Sequence, residues 1–106
     1  MTATYCIVLC TCPDQETADR IAHHVIELKL VACTNIIADL SSIYFWEGKI
    51  TQGSELCLVM KTRQDKLTDL EKAVLQVHPY QVPEFIALPI IYGSAPYLQW
   101  IDEVVI

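Results

Sequence analysis

Residues 33–62, CTNIIADLSSIYFWEGKITQGSELCLVMKT, decide how this chain folds. Residues 33–38 (CTNIIA) carry β-branched side chains and read as a strand. The pattern continues past Asp39 into residues 42–46. Glu47-Gly48-Lys49 supplies a turn, so residues 43–46 and 49–51 predict a β-hairpin arm that projects from the body. Residues 55–62 (ELCLVMKT) start and end polar around an apolar middle and form the following strand.

Upstream of this pair, residues 5–11 (YCIVLCT) are a short run of strand formers, the pattern of a strand buried on both faces. Pro13 and Asp14 open a helix, with Asp14 and Glu16 in its first turn complementing the helix dipole. Ala18, Ile21, Ala22, Val25 and Leu28 recur at helical spacing and form its apolar face. Downstream, Asp65 is placed to cap a second helix with Leu67, Leu70, Val74 and Val77 on one stripe. Pro79 ends it, because a proline disfavours helical geometry at the residue before it. The loop 78–84 (HPYQVPE) holds two prolines and is stiff. Residues 85–91 (FIALPII) form a fourth strand, and Pro89 marks it as an edge or a bulge. Ser94 caps a short C-terminal helix containing Tyr97, Leu98, Trp100 and Ile101.

The order strand, helix, strand, strand, helix, strand is the split βαβ, or ferredoxin-like, arrangement. It predicts an α+β sandwich, βαββαβ, as one domain spanning residues 1–106, with the hairpin arm projecting from it. Both helices then cover one sheet face and the other lies open. Of the 106 residues 53% are hydrophobic, more than a core of this size hides. A partner subunit is the natural cover. The longest apolar runs, residues 5–10 and 85–92, are far short of the roughly 20 residues of a membrane span. No basic, apolar leader opens the chain, so a cytoplasmic protein is expected. A net charge of −6 without any basic run argues against nucleic acid and anionic membranes. Five cysteines, an odd number, do not suggest a disulfide framework.

The three glycines form no phosphate-binding loop, HExxH is absent, and no serine sits in a nucleophile elbow. Cys10 and His78 are a conceivable nucleophile–base pair, but no oxyanion donor accompanies them. A non-enzymatic protein is therefore expected. Metal binding is the better chemical reading. Cys10-Thr11-Cys12 offers two thiols, and the loop offers His78, Tyr80 and Glu84. Thiolate with imidazole suits copper or zinc. The competing reading makes Cys10 a packed core thiol. His23 and His24 point about 100° apart on their helix, one outward and one toward the apolar stripe. Glu55 and Lys61 read as solvated strand ends.

Three segments, LVACTNI (residues 30–36), YFWEGKI (residues 44–50) and HPYQVPE (residues 78–84), together resemble the CutA divalent-cation-tolerance family. Leu9-Cys10-Thr11, Met60-Lys61-Thr62 and Tyr97-Leu98-Gln99-Trp100 support the match along nearly the whole chain. The resemblance implies a ferredoxin-like homotrimer, cytoplasmic in bacteria, linked to tolerance of copper and other divalent metals. A copper site described for some relatives maps its Cys onto Cys10 and its second His onto His78. Its first His falls on Val77, which leaves Glu84 or Cys12 as the replacement ligand. The family trimer also looks like the PII signalling proteins, which bind effectors in clefts between subunits. That likeness implies a regulatory module with Trp46, Lys61, Tyr80 and Glu84 lining such a cleft. A stable assembly scaffold is the third possibility.

Overall fold

The computed structural model describes residues 4–106. In chain order it contains β1 (Tyr5–Cys12), α1 (Gln15–Glu27), β2 (Cys33–Trp46), β3 (Lys49–Arg63), a 3-10 turn (Gln64–Lys66), α2 (Leu67–Val77), β4 (Ile86–Pro89) and α3 (Ala95–Val104). The strands form one sheet in the order β2-β3-β1-β4, and every neighbouring pair is antiparallel. The chain therefore makes an α+β structure with a four-stranded antiparallel sheet and three helices.

Strand periodicity assigns the layers. Cys6, Val8, Cys10 and Cys12 of β1 are buried, as are Leu56, Leu58, Met60 and Thr62 of β3. Most of these side chains share one core with Ala18, Ile21 and Val25 of α1 and with Leu70, Ala73 and Val74 of α2. Each aliphatic side chain of Val, Leu or Ile size fully buried there contributes about 1.5–3 kcal/mol. A second, smaller cluster joins Ile101 and Val105 to Ala32.

The helix termini differ from the sequence reading at Asp14, Leu28 and Asp65. Asp14 is the N-cap of α1, one position ahead of its expected first turn, and its side chain accepts the Thr17 N–H at 2.8 Å. Leu28, expected on the apolar face, is exposed, because α1 has ended and the chain turns through Lys29 at φ 59°. Asp65 does not cap α2. It lies in the 3-10 turn and pairs with Arg63, so α2 starts at Leu67 without a side-chain cap. Pro79 ends α2 as expected, with His78 extended at ψ 132°. Ser94 accepts from the Tyr97 N–H and caps α3.

The sheet's other face departs from the expectation of burial on both sides. Ile7, Leu9 and Thr11 of β1 are half-buried, and all four residues of β4 are exposed. β4 is also shorter than the expected 85–91. It lies at the sheet edge, where Pro89 is tolerated. Among the described residues no helix is long and apolar enough to cross a membrane.

The arm is longer than the sequence suggested. β2 and β3 stay paired out to Trp46↔Lys49 around a two-residue turn. Glu47 (φ 52°) and Gly48 (φ 78°) both adopt left-handed geometry, as a type I′ hairpin turn requires. Only Gly48 suits it without strain. Glu47→Asn is expected to raise the urea midpoint at fixed protein concentration, through a gain of about 0.5–1 kcal/mol in unfolding free energy, since Asn-Gly is the preferred I′ pair. An unchanged or lower midpoint would refute strain at the tip.

Candidate functional site

A bulge sets the facing of the hairpin arm where it borders a cleft. The β2–β3 register runs evenly to Ile37↔Cys57 and resumes at Leu40↔Glu55, so two residues of β2, Ala38 and Asp39, oppose Leu56 alone. Asp39 takes up the extra length at φ 62°. Paired residues share a face. Beyond the bulge, Ser42, Tyr44 and Trp46 therefore lie on the same face as Glu55, where an unbroken ladder would have set the odd-numbered positions.

The loop after α2 closes the other side. His78 fixes its start with both ring nitrogens. The Tyr80 N–H donates to Nδ1 at 3.1 Å, and Nε2 donates to the Thr11 carbonyl at 2.8 Å. Tyr80 packs against the His78 ring with centroids 4.8 Å apart, and its hydroxyl donates to Glu55 Oε2 at 2.7 Å. Between arm and loop lies a cleft of about 770 Å³, lined by Tyr44, Phe45, Trp46, Glu55, Tyr80 and Glu84 among others.

Glu55 is the residue sequence reasoning missed. It reads as a solvated strand end, yet only 8% of it is exposed. Its parity opposite Leu56 points it away from the helices, which in a sequence looks like solvent. The loop folds back over that spot from more than twenty residues away. Burial, followed by the hydrogen bond to Glu55 and that residue's charge, pushes the Tyr80 hydroxyl pKa well up, so it remains a donor.

The metal candidates sit differently. Cys10 is fully buried in the core, and its thiol points to the Thr11 carbonyl at 3.8 Å. Burial, with smaller contributions from Cys12 and Glu84, pushes its pKa up to about 12, so it is a thiol at neutral pH. Cys12 is likewise buried, with its pKa raised to about 11 chiefly by burial. A copper centre built on Cys10 and His78 needs an accessible sulfur and a free imidazole lone pair. Here the thiol is sealed and protonated, and both ring nitrogens of His78 are taken, so the arrangement does not fit that group. Glu84 is exposed at the cleft, close enough for its charge to act on Cys10 and Cys57. Among the described residues no group of three or more His, Cys, Asp and Glu is disposed to hold a metal ion.

Of the residues expected at a cleft between subunits, Trp46, Tyr80 and Glu84 line this cavity within one chain, and Lys61 does not. It pairs with Ile7 and Cys33, well along β3 from Glu55, and its ammonium donates to Asn35. His23 is exposed and His24 half-buried against Gln76, the outward and inward placement their spacing implies.

The family model described as "CutA1 divalent ion tolerance protein" matches residues 6–104. A Xenopus laevis "Protein CutA homolog" is 45% identical over 95 residues, covering 90% of this chain and 63% of the relative. The chain thus spans less than two-thirds of that relative's length. A Thermus thermophilus "Divalent-cation tolerance protein CutA" is 43% identical over 97 residues, covering 92% of this chain and 94% of the relative. The solved Thermus thermophilus structure superposes with a TM-score of 0.93 at 42% identity, covering 95% of this chain and 98% of that one.

Two outcomes test the geometry. Tyr80→Phe removes the one hydrogen bond that the Glu55 side chain accepts among the described residues and is expected to cost about 1–3 kcal/mol in urea unfolding. A neutral result would show that Glu55 is solvated after all. The raised Cys10 pKa stabilises the fold fully below the thiol's ordinary value of 9.0, and that contribution is lost as pH rises toward about 12. Cys10 should therefore resist thiol reagents at pH 8 until the protein unfolds, and its labelling in the native state would contradict the burial.

Proposed function

The chain belongs to the CutA1 divalent ion tolerance family, and from that premise we propose that it acts in cation tolerance without catalysis, as a self-assembled binding module. The cleft between the hairpin arm and the loop 78–84 is its ligand site. The observation that carries this reading is the Glu55–Tyr80 pair, a buried carboxylate and a hydroxyl held together at the wall of a cavity of small-molecule size. Such a pair is costly to bury for packing alone.

Assembly is part of the proposal. The sheet face away from α1 and α2 keeps Ile86 and Leu88 exposed, and the arm exposes Ile43, Phe45 and Ile50. Apolar surface of this extent on one small chain favours contact with further copies. A homotrimer of one-domain chains in the ferredoxin-like arrangement is the form that the family resemblance implies. The five free thiols suit a reducing compartment, which supports a cytoplasmic working place.

A second reading keeps copper. Cys10, His78 and Glu84 would be its ligands, and the nearness of the Glu84 charge to Cys10 favours it. It requires His78 to release at least one of its two hydrogen bonds and the core to open around Cys10.

Light scattering is expected to return three chains per particle at micromolar concentration, and a monomer would overturn the assembly. In a Cu(I) competition against a chromogenic chelator under reducing conditions, wild type and Cys10→Ser are expected to compete equally and weakly. Tight binding that the substitution abolishes would replace the first reading with the second.

A further inference from the structure

The cleft's charge is unbalanced. Glu55 is about nine-tenths buried, and among the described residues its side chain's one hydrogen-bond partner is the neutral Tyr80 hydroxyl. Among the described residues neither Glu55 nor Glu84 forms an ion pair, and no Lys or Arg lines the cleft. A buried carboxylate without a countercharge is costly. Tyr44, Trp46 and Tyr80 line the cleft with the two acids, and the faces of such rings attract cations.

We propose that this cleft binds a small organic cation, an amine-bearing molecule whose protonated nitrogen meets Glu55 while its carbon frame lies against Tyr44 and Trp46. The inference rests on the reading of the cleft as the ligand site and adds the class of ligand. A hard divalent ion such as Ca²⁺ or Mg²⁺ suits the site poorly. It wants six or more oxygen ligands, whereas Glu55 and Glu84 are the two carboxylates lining a cleft of about 770 Å³. An organic cation uses the carboxylates for charge-assisted hydrogen bonds and the rings for both apolar and cation–π contact.

Three probes of one shape and different charge separate the possibilities: benzylammonium, benzyl alcohol and benzoate. Trp100→Phe leaves Trp46 as the sole tryptophan, so its emission reports the cleft. Benzylammonium is expected to shift that emission saturably, with benzyl alcohol about tenfold weaker and benzoate without effect. Glu55→Gln retains an acceptor for Tyr80 and is expected to weaken benzylammonium about tenfold while leaving benzyl alcohol unchanged. Equal binding of all three probes, or a preference for benzoate, overturns the inference and leaves the cleft a ligand site. No response to any probe overturns both the inference and the cleft reading. If wild type is silent and Glu55→Gln loses its assembly by light scattering, the countercharge belongs to another copy's basic side chain, and the inference falls for that reason.

Discussion

Strand β3 is the spine on which the other elements are registered. It pairs with β2 from Lys49 to Lys61 and with β1 from Leu56 to Arg63. Its alternation decides which side chains meet the helices. Leu56, Leu58, Met60 and Thr62 go inward, and the Thr62 hydroxyl donates to the Leu30 carbonyl at 2.6 Å, tying the turn after α1 to the sheet. Ala32 N–H donates to the Lys61 carbonyl and does the same for the entry to β2. A slip of one residue in β3 would expose this core and bury Cys57, Val59 and Lys61 in its place.

The candidate site is made from the two places where regular structure stops. The bulge at Ala38 and Asp39 changes the facing of the arm, which brings Tyr44 and Trp46 to the side of Glu55. Pro79 halts α2 and lets His78 and Tyr80 reach back to Thr11 and Glu55. His78 is a positioning residue in this scheme. Its ring is held between a carbonyl and a backbone N–H, and it fixes the loop from which Tyr80 extends.

Much of the fold was legible because it rests on local signals. Ala18, Ile21 and Val25 at helical spacing, Glu47-Gly48 between strand formers, Pro79 after Val77 and Ser94 before α3 each act within a few residues. The candidate site is legible in part. Trp46, Tyr80 and Glu84 enter through the family likeness, as lining for a cleft between subunits, and they share a cavity within one chain. Glu55 is not legible, because its burial comes from a loop distant in sequence. Lys61 reads from the sequence as a strand end, and its register sets it away from that cavity. Cys10 and His78 carry the residue types of a metal site. Packing and the His78 hydrogen bonds, which sequence spacing does not encode, set them to other work.

The two-residue tip of the arm also bears on the order of events in folding. Trp46 and Lys49 are three residues apart, and each further pair in the β2–β3 ladder closes a loop only slightly longer than the last. Such a hairpin zips in about 1–10 µs without waiting for any other segment. The β1–β3 pairing joins Cys12 to Leu56 and Tyr5 to Arg63, so it must close loops of over forty residues and bears their entropy. A chain leaving the ribosome can thus finish its arm before β4 has been synthesised. Of the two walls of the cleft, the arm that carries Tyr44 and Trp46 is the earlier able to form, and the loop that completes it arrives later.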